Sequence, residues 1–331
     1  MNITAHLFGD NPALWLACLL FVIGLVAIIK GGDWFVDAAS WVARVSGIPS
    51  FVIGATVVSL ATTLPEMLVS SFSTAQGSVG LAYGNAVGSV TANLGLIMGI
   101  SLVFLPAAVS RKQFAPKALC MAAAGIALCA FSLYGKFTLL PGVILIAIFA
   151  VFLYDNLRSA KSSIADAAEE RPHPDGKEIV KNVILFLVGA AGIVIGADLM
   201  VDNATTIARA VGVSEAVIGA TVVAIGTSLP ELVTTITALV KKESSLSVGN
   251  IIGANVLDLS LILPICTFIS GGNLTVEPQN QFLDGPACLV MIALSIVPPL
   301  VSKKLRRWQG VCLLVGYAAY VTLVCTNVFA F

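Results

Sequence analysis

The sequence predicts an all-α polytopic membrane protein of ten transmembrane helices, arranged as two inverted five-helix repeats. Three observations lead there. The 331 residues are 58% hydrophobic and 11% charged, with a mean hydropathy of +0.98, far from the roughly 25% charged composition of soluble domains. Ten apolar segments approach or exceed the roughly 20 residues that a helix needs to cross a hydrocarbon core of about 30 Å. The chain is also written twice: "GATVVSLATTLPE" at 54–66 returns as "GATVVAIGTSLPE" at 219–231, a shift of 165 residues.

The expected spans of the first repeat are 12–32, 48–74, 84–106, 116–134 and 139–155; those of the second are 180–205, 214–240, 247–270, 283–301 and 309–329. Residues 12–32 lack the basic flank and small-residue cleavage site of a removable signal peptide and are read as a span that stays. With the N-terminus outside, all 18 lysines and arginines except Lys136 and Arg209 fall in cytoplasmic connections. That asymmetry places both termini outside a cell membrane, the bacterial inner membrane, and the connection after the fifth span inside it. The seven cysteines lie in apolar segments with no CxxC pair and no neighbouring histidine, and read as small buried hydrophobes.

The repeat extends well beyond the first motif. At the same shift "GGDWFVD" (31–37) matches "GADLMVD" (196–202), and "GNAVGSVTANLGL" (84–96) matches "GNIIGANVLDLSL" (249–261). Five spans per unit is an odd number, so the second unit enters the membrane from the opposite side. The organisation expected is a first repeat over 1–155, a charged cytoplasmic linker over 156–179 and a second repeat over 180–331. Inverted repeats are a transporter architecture in which ions bind near the midplane on interrupted helices.

The chemistry concentrates at Glu66 and Glu231, each directly after a proline. Pro65 offers no N–H to the carbonyl of Ala61 and loosens that of Thr62; Pro230 does the same to Gly226 and Thr227. Each half therefore presents backbone oxygens, hydroxyls (Thr62 and Thr63; Thr227 and Ser228) and a carboxylate within about one turn. The second motif adds Ser89 and Asn93, four apart on one face, with Ala254 and Asp258 as their copies. Every candidate ligand is oxygen, which suits hard cations such as Ca²⁺; transition metals would ask for histidine or cysteine, and His6 and His173 lie outside the spans. Three acids at mid-helix cost roughly 8 to 10 kcal/mol on insertion scales unless compensated. With no lysine or arginine inside a span near them, the counter-charge must be bound ions or protons.

These paired motifs, each followed by a "GN" helix, resemble the two alpha-repeats of the cation/calcium exchanger superfamily, in its prokaryotic sodium/calcium exchanger-like family. The proton-coupled calcium branch is less similar, because it carries a glutamate four residues after the "GN" asparagine, where Ser89 and Ala254 stand here. The resemblance implies a calcium/cation antiporter with a central Ca²⁺ site formed by Glu66, Glu231 and the carbonyls of Thr62 and Thr227. It implies one flanking Na⁺ site using Glu66, Ser89, the Ala224 carbonyl, Thr227 and Ser228. The mirror site would use Glu231, the Ser59 carbonyl, Thr62, Thr63 and position 254, with Asn93 and Asp258 completing the middle. Long gating helices over 12–46 and 180–211 would slide across the rest. Position 254 is alanine where the family usually has serine, so the mirror site lacks that hydroxyl. Aspartate at 258 also occurs in potassium-dependent members.

The expected partners are thus Ca²⁺, Na⁺ and the lipid bilayer, with H⁺ or K⁺ as alternative coupling ions; nothing in the sequence asks for a resident cofactor, a nucleic acid or a protein partner. An intramembrane protease would need its own aspartate motifs or HExxH, which are absent, so no enzymatic activity is expected. A passive cation channel shares the oxygen-lined pathway, but inverted repeats favour alternating access. Asp33 and Asp37, with their copies Asp198 and Asp202, read as interfacial acids rather than ligands.

Overall fold

A computed structural model describes residues 13–77, 79–106, 108–166, 174–211, 226 and 228–326. The chain forms α1 (Leu14–Ser46), α2 (Ser50–Ala75), α3 (Ala82–Phe104), α4 (Arg111–Ser132), α5 (Leu139–Asp166), α6 (Gly176–Ala210), α7 (Leu229–Val240), α8 (Ser244–Ile269), α9 (Asn280–Ser302) and α10 (Arg307–Cys325). All of these except α7 are long and apolar enough to cross a membrane. Helix α7 is the helical part described within the expected span 214–240; residues 212–225 and 227 lie outside the described residues. Large apolar side chains such as Trp15, Val26, Leu140, Leu187 and Val315 are exposed on the outward faces of α1, α5, α6 and α10, as a lipid-facing surface requires. Two three-residue strands, β1 (Lys136–Thr138) and β2 (Asn273–Thr275), pair antiparallel and join the connections after α4 and α8.

Contacts between α1 and α6 display the inversion. A Cβ on Gly24 would lie 2.8 Å from the carbonyl oxygen of Gly196, and one on Gly31 2.8 Å from that of Gly189. At the 165-residue shift Gly24 corresponds to Gly189 and Gly31 to Gly196. The pairing is therefore self-complementary, each residue meeting the copy of the other's partner, as across any two-fold axis. Ala27 meets its own copy, since a Cβ on Gly192 would be 3.3 Å from the Ala27 oxygen. The helices run antiparallel, so this axis is perpendicular to them and lies in the membrane plane. Small residues are what allow such close approach between membrane helices.

Helix boundaries depart from expectation in ways that packing explains. Helices α1 and α6 are far longer than single spans and match the anticipated gating segments. Gly47, at φ 71°, closes α1 in a left-handed cap whose N–H bonds Ala43 at 3.1 Å. Asp175 caps α6 by accepting from the Glu178 N–H at 2.7 Å. Helices extend into the 156–179 stretch from both sides. The break expected at Pro65 is absent: α2 runs through it continuously. Membrane helices tolerate proline because neighbouring helices and side chains re-satisfy the freed backbone groups. Irregularity sits instead in π-helical stretches at Gly54–Val58, Asn93–Met98, Asp258–Ile262 and Asn280–Asp284. Cys18, Cys312 and Cys325 are exposed on outward faces rather than buried, thiols being apolar enough for lipid contact.

Ion pairs of two lysines pin helices among the described residues. Lys117, counted by sequence among the loop charges, is fully buried in α4, 2.6 Å from Asp155 and over the Phe51 ring at 5.7 Å. Lys241, just past α7, reaches Asp37 at 2.8 Å, the Asp33 carboxylate at 3.5 Å and the Asp33 carbonyl at 2.9 Å, tying α1 to the end of α7. Asp33 and Asp37 thus face Lys241.

Gly196→Val places a branched side chain against the Gly24 backbone; the expected cost is about 1–3 kcal/mol, read as a lower melting temperature in detergent. Gly142→Ala, whose Cβ meets only ordinary contacts at 3.6 Å and beyond, should leave the melting temperature unchanged.

Candidate cation site

On α2, Ser59, Thr62, Thr63 and Glu66 recur at three- and four-residue intervals and so share one face. All four are buried, Glu66 to 1% exposure. On the inverted side Ser228 stands just before α7 without a side-chain cap bond, and the first turn of α7 carries Glu231, also 1% exposed; Pro230 occupies a first-turn position where its missing N–H costs little. Thus the two proline motifs, alike in sequence, are unlike in backbone: one lies within a helix and the other at a helix start.

Helices α3 and α8 supply the remaining side chains. Ser89 and Asn93 lie one turn apart on α3, both buried, and Asp258 lies on α8 at 1% exposure. Asn93 opens the π-helical stretch of α3, and its copy Asp258 opens that of α8. Such a bulge widens the turn and re-aims the side chain that precedes it, which is why it recurs at functional sites. Ser260 Oγ bonds back to the Val256 carbonyl within the same distorted region.

The two glutamates meet, and Asp258 lies nearby. The Glu66 and Glu231 carboxylates face each other, with Thr62 and Thr63 beside Glu231 and Asp258 within electrostatic reach of both glutamates. Both oxygens of Glu66, both of Glu231 and Oδ1 of Asp258 are buried without a hydrogen-bond partner. Asn93 Oδ1 and the hydroxyls of Ser89, Thr63 and Ser228 are unpartnered as well. Buried polar groups in proteins are almost always satisfied. A cluster of orphaned oxygens carrying three acids is a set of acceptors waiting for cations. Lys117, buried beside Asp155, makes no pair with any of them.

Of the expected ligands, Glu66, Glu231, Asp258, Asn93, Thr62, Thr63, Ser228, Ser89 and Ser59 are all buried on the four helices that meet here. Thr227 and Ala224 lie outside the described residues. Sequence reasoning missed the asparagines that hold the helices in place. Asn85 donates to the Ser70 hydroxyl at 2.8 Å and the Glu66 carbonyl at 3.3 Å. Asn250 donates to Thr234 at 3.0 Å and accepts from Thr62 at 3.4 Å, so it joins α7 to α2 across the repeats. Asn93 donates to Asn255 at 3.2 Å. The signal was present, since Asn85 and Asn250 are the two asparagines of the repeated "GN".

Helices α1 and α6 cover one side of this cluster. A crevice lined by Phe35 of α1, Ala190, Ile193 and Val194 of α6, Ala61 and Thr62 of α2, and Pro230 of α7 is too narrow for a water molecule.

The model for the sodium/calcium exchanger protein family matches residues 16–157 and 181–326. The chain belongs to this family. It is 33% identical to an uncharacterized membrane protein of Methanocaldococcus jannaschii, over 90% of this chain and 94% of that one. It is 29% identical to the sodium/calcium exchanger MaX1 of Methanosarcina acetivorans, covering 92% and 97%, and 31% identical to the inner membrane protein YrbG of Escherichia coli, covering 93% and 97%. Among solved structures, the sodium-calcium exchanger NCX_Mj soaked with Na⁺ and Sr²⁺ superposes with a TM-score of 0.81 at 29% identity, over 94% of this chain and 99% of that one.

In this exchanger Asn250→Ala removes the bridge between Thr62 and Thr234 while leaving every carboxylate in place. Groups that orient ligands are typically worth 10- to 100-fold in metal affinity, so affinity for a hard divalent cation should fall roughly tenfold, measured by equilibrium binding of ⁴⁵Ca²⁺ in detergent.

Proposed function

We propose that this exchanger moves Ca²⁺ against Na⁺ by alternating access. The observation behind this reading is the cluster of buried, unpartnered carboxylate oxygens of Glu66, Glu231 and Asp258 where the two inverted repeats meet. Up to three negative charges without a cationic side chain beside them suit one Ca²⁺ or several Na⁺, and the same oxygens cannot serve both loads together. Mutual exclusion at shared ligands is what makes exchange obligatory.

In this reading Ca²⁺ sits between Glu66 and Glu231 with the carbonyls of Thr62 and Thr227. One Na⁺ is held by Glu66, Ser89, Ala224, Thr227 and Ser228, and another by Glu231, Ser59, Thr62 and Thr63. Asn93 and Asp258 complete the middle. Oxygen donors at adaptable spacing fit Ca²⁺, which takes 6 to 8 oxygens, better than Mg²⁺, which keeps its water. The names of MaX1 and NCX_Mj as sodium/calcium exchangers support the choice of ions, and YrbG's name supports the inner membrane. The charge asymmetry of the loops supports both termini outside and the linker inside. The two halves are then 1–155 and 180–331, and inward Na⁺ flow expels Ca²⁺ from the cytoplasm as α1 and α6 slide over the site.

The test is ⁴⁵Ca²⁺ uptake into proteoliposomes preloaded with Na⁺, with K⁺, or bearing only a proton gradient. Uptake should require internal Na⁺ and vanish in Glu66→Gln and in Glu231→Gln. Equal uptake on a proton gradient alone, or a requirement for K⁺, would change the coupling ion. Uptake indifferent to every gradient would replace the exchanger with a channel.

A further inference from the structure

The chain's own repeat is uneven in hydroxyls. Position 89 offers a serine hydroxyl to the cluster, whereas its copy, Ala254, offers none; conversely Ser59 carries a hydroxyl where its copy is Ala224. In the exchange reading both differences fall within the same mirror site, which takes positions 59 and 254 together with Glu231, Thr62 and Thr63. The structure shows where the Ser59 hydroxyl goes. It lies against α8 at Gly253, the residue before Ala254: a Cβ built on Gly253 would be 2.5 Å from Ser59 Oγ. Ser59 is fully buried, one turn before Thr62 and Thr63 and on the same face of α2 as Glu66. Its hydroxyl proton is donated to the Thr56 carbonyl at 3.2 Å, which leaves both oxygen lone pairs as acceptors. Ala254, the next residue of α8 and 0% exposed, has no hydroxyl to contribute.

We propose that the Ser59 hydroxyl is a Na⁺ ligand that completes the site beside α8, in the place of the hydroxyl Ala254 lacks. Each flanking site then draws three hydroxyls: Ser89, Thr227 and Ser228 in one, Ser59, Thr62 and Thr63 in the other. The duplicated protein keeps two equivalent Na⁺ sites although a ligand position has moved from one helix to its neighbour. This rests on the exchange reading above and predicts that losing the serine at 254 does not cost the chain a Na⁺.

The experiment compares wild type, Ser59→Ala, Ala254→Ser and the double variant, reading ⁴⁵Ca²⁺ uptake into proteoliposomes against internal Na⁺ concentration. Alanine is a better helix former than serine, so the fold is not at risk. In Ser59→Ala the half-saturating Na⁺ should rise by roughly tenfold, the scale of one lost charge-assisted contact, and the Na⁺ curve should become less steep. Adding Ala254→Ser should restore both, because it returns a hydroxyl to the same site from the facing helix. A merely structural role for Ser59 would not be rescued from another helix. A Na⁺ curve unchanged in Ser59→Ala, or a double variant as defective as the single one, overturns the assignment while leaving Na⁺ exchange intact. Wild-type uptake that ignores Na⁺ overturns both.

Discussion

Three buried carboxylates, without a lysine or arginine beside them among the described residues, are the constraint on which the rest of this structure depends. The chain is able to pair a buried charge: Lys117, fully buried, lies 2.6 Å from the partly exposed Asp155. A pair of that kind neutralises itself and has no use for a solute. The cluster around Glu66 and Glu231 keeps its oxygens unspent, and burial charges several kcal/mol for that deficit. Only a bound cation or proton settles it, so the site is never indifferent to its ions. Covering the cluster with α1 and α6 sharpens this, because electrostatic attraction grows as water is excluded.

Duplication solves half of the design problem and leaves the other half to asymmetry. One five-helix unit supplies a carboxylate, hydroxyls and a polar π-helical stretch, and its inverted copy supplies the same from the opposite side. The axis then passes between the two glutamates as well as between Ala27 and Gly192. Departures from symmetry are chemically pointed. Asn93 answers Asp258, so the midplane carries one extra negative charge instead of two. Asn255 has no amide copy at Val90 and serves as the partner of Asn93. A site with strictly doubled charge would hold two acids more tightly opposed, at a still larger cost of burial.

Much of this was legible in the sequence because a repeat reports function twice. A lone proline and glutamate in an apolar segment is ambiguous, but the same pair recurring 165 residues later named both site carboxylates and the inversion together. Gly24 and Gly31 were visible only as small residues; that they meet Gly196 and Gly189 is a matter of helix register, which periodicity does not encode. The continuity of α2 through Pro65 was unreadable for a similar reason. Local rules make proline a breaker, whereas neighbouring helices decide whether the freed groups find partners. Asn85 and Asn250 were quoted in a motif yet passed over, since their role is to touch other helices rather than ions. Lys117 looked like a loop charge until Asp155, 38 residues away in sequence, was seen beside it.

How α1 and α6 hold on to the molecule bears on which parts can move. At Gly24, Gly31, Gly189 and Gly196 their mutual contact is backbone against backbone, with little slack, and Phe35 on Phe186 at 4.6 Å and Trp41 donating to Glu178 at 2.8 Å join them further along. Their contacts with the remaining helices are of another kind: Gly32 abuts the ends of Val233 and Thr237, Phe35 borders the narrow crevice over Thr62 and Pro230, and Lys241 reaches Asp33 and Asp37 from a half-exposed position. Side-chain tips can change rotamer and neighbour at small cost, whereas a glycine seam cannot shift without losing its fit. The pair should therefore travel as one body. Its two end positions are not equivalent either, because the copy of Lys241 is the uncharged Gln76. The lysine that makes the ion pair at the end of α7 thus has an uncharged copy at the end of α2, and the two ends of an architecture built on a two-fold axis differ in charge.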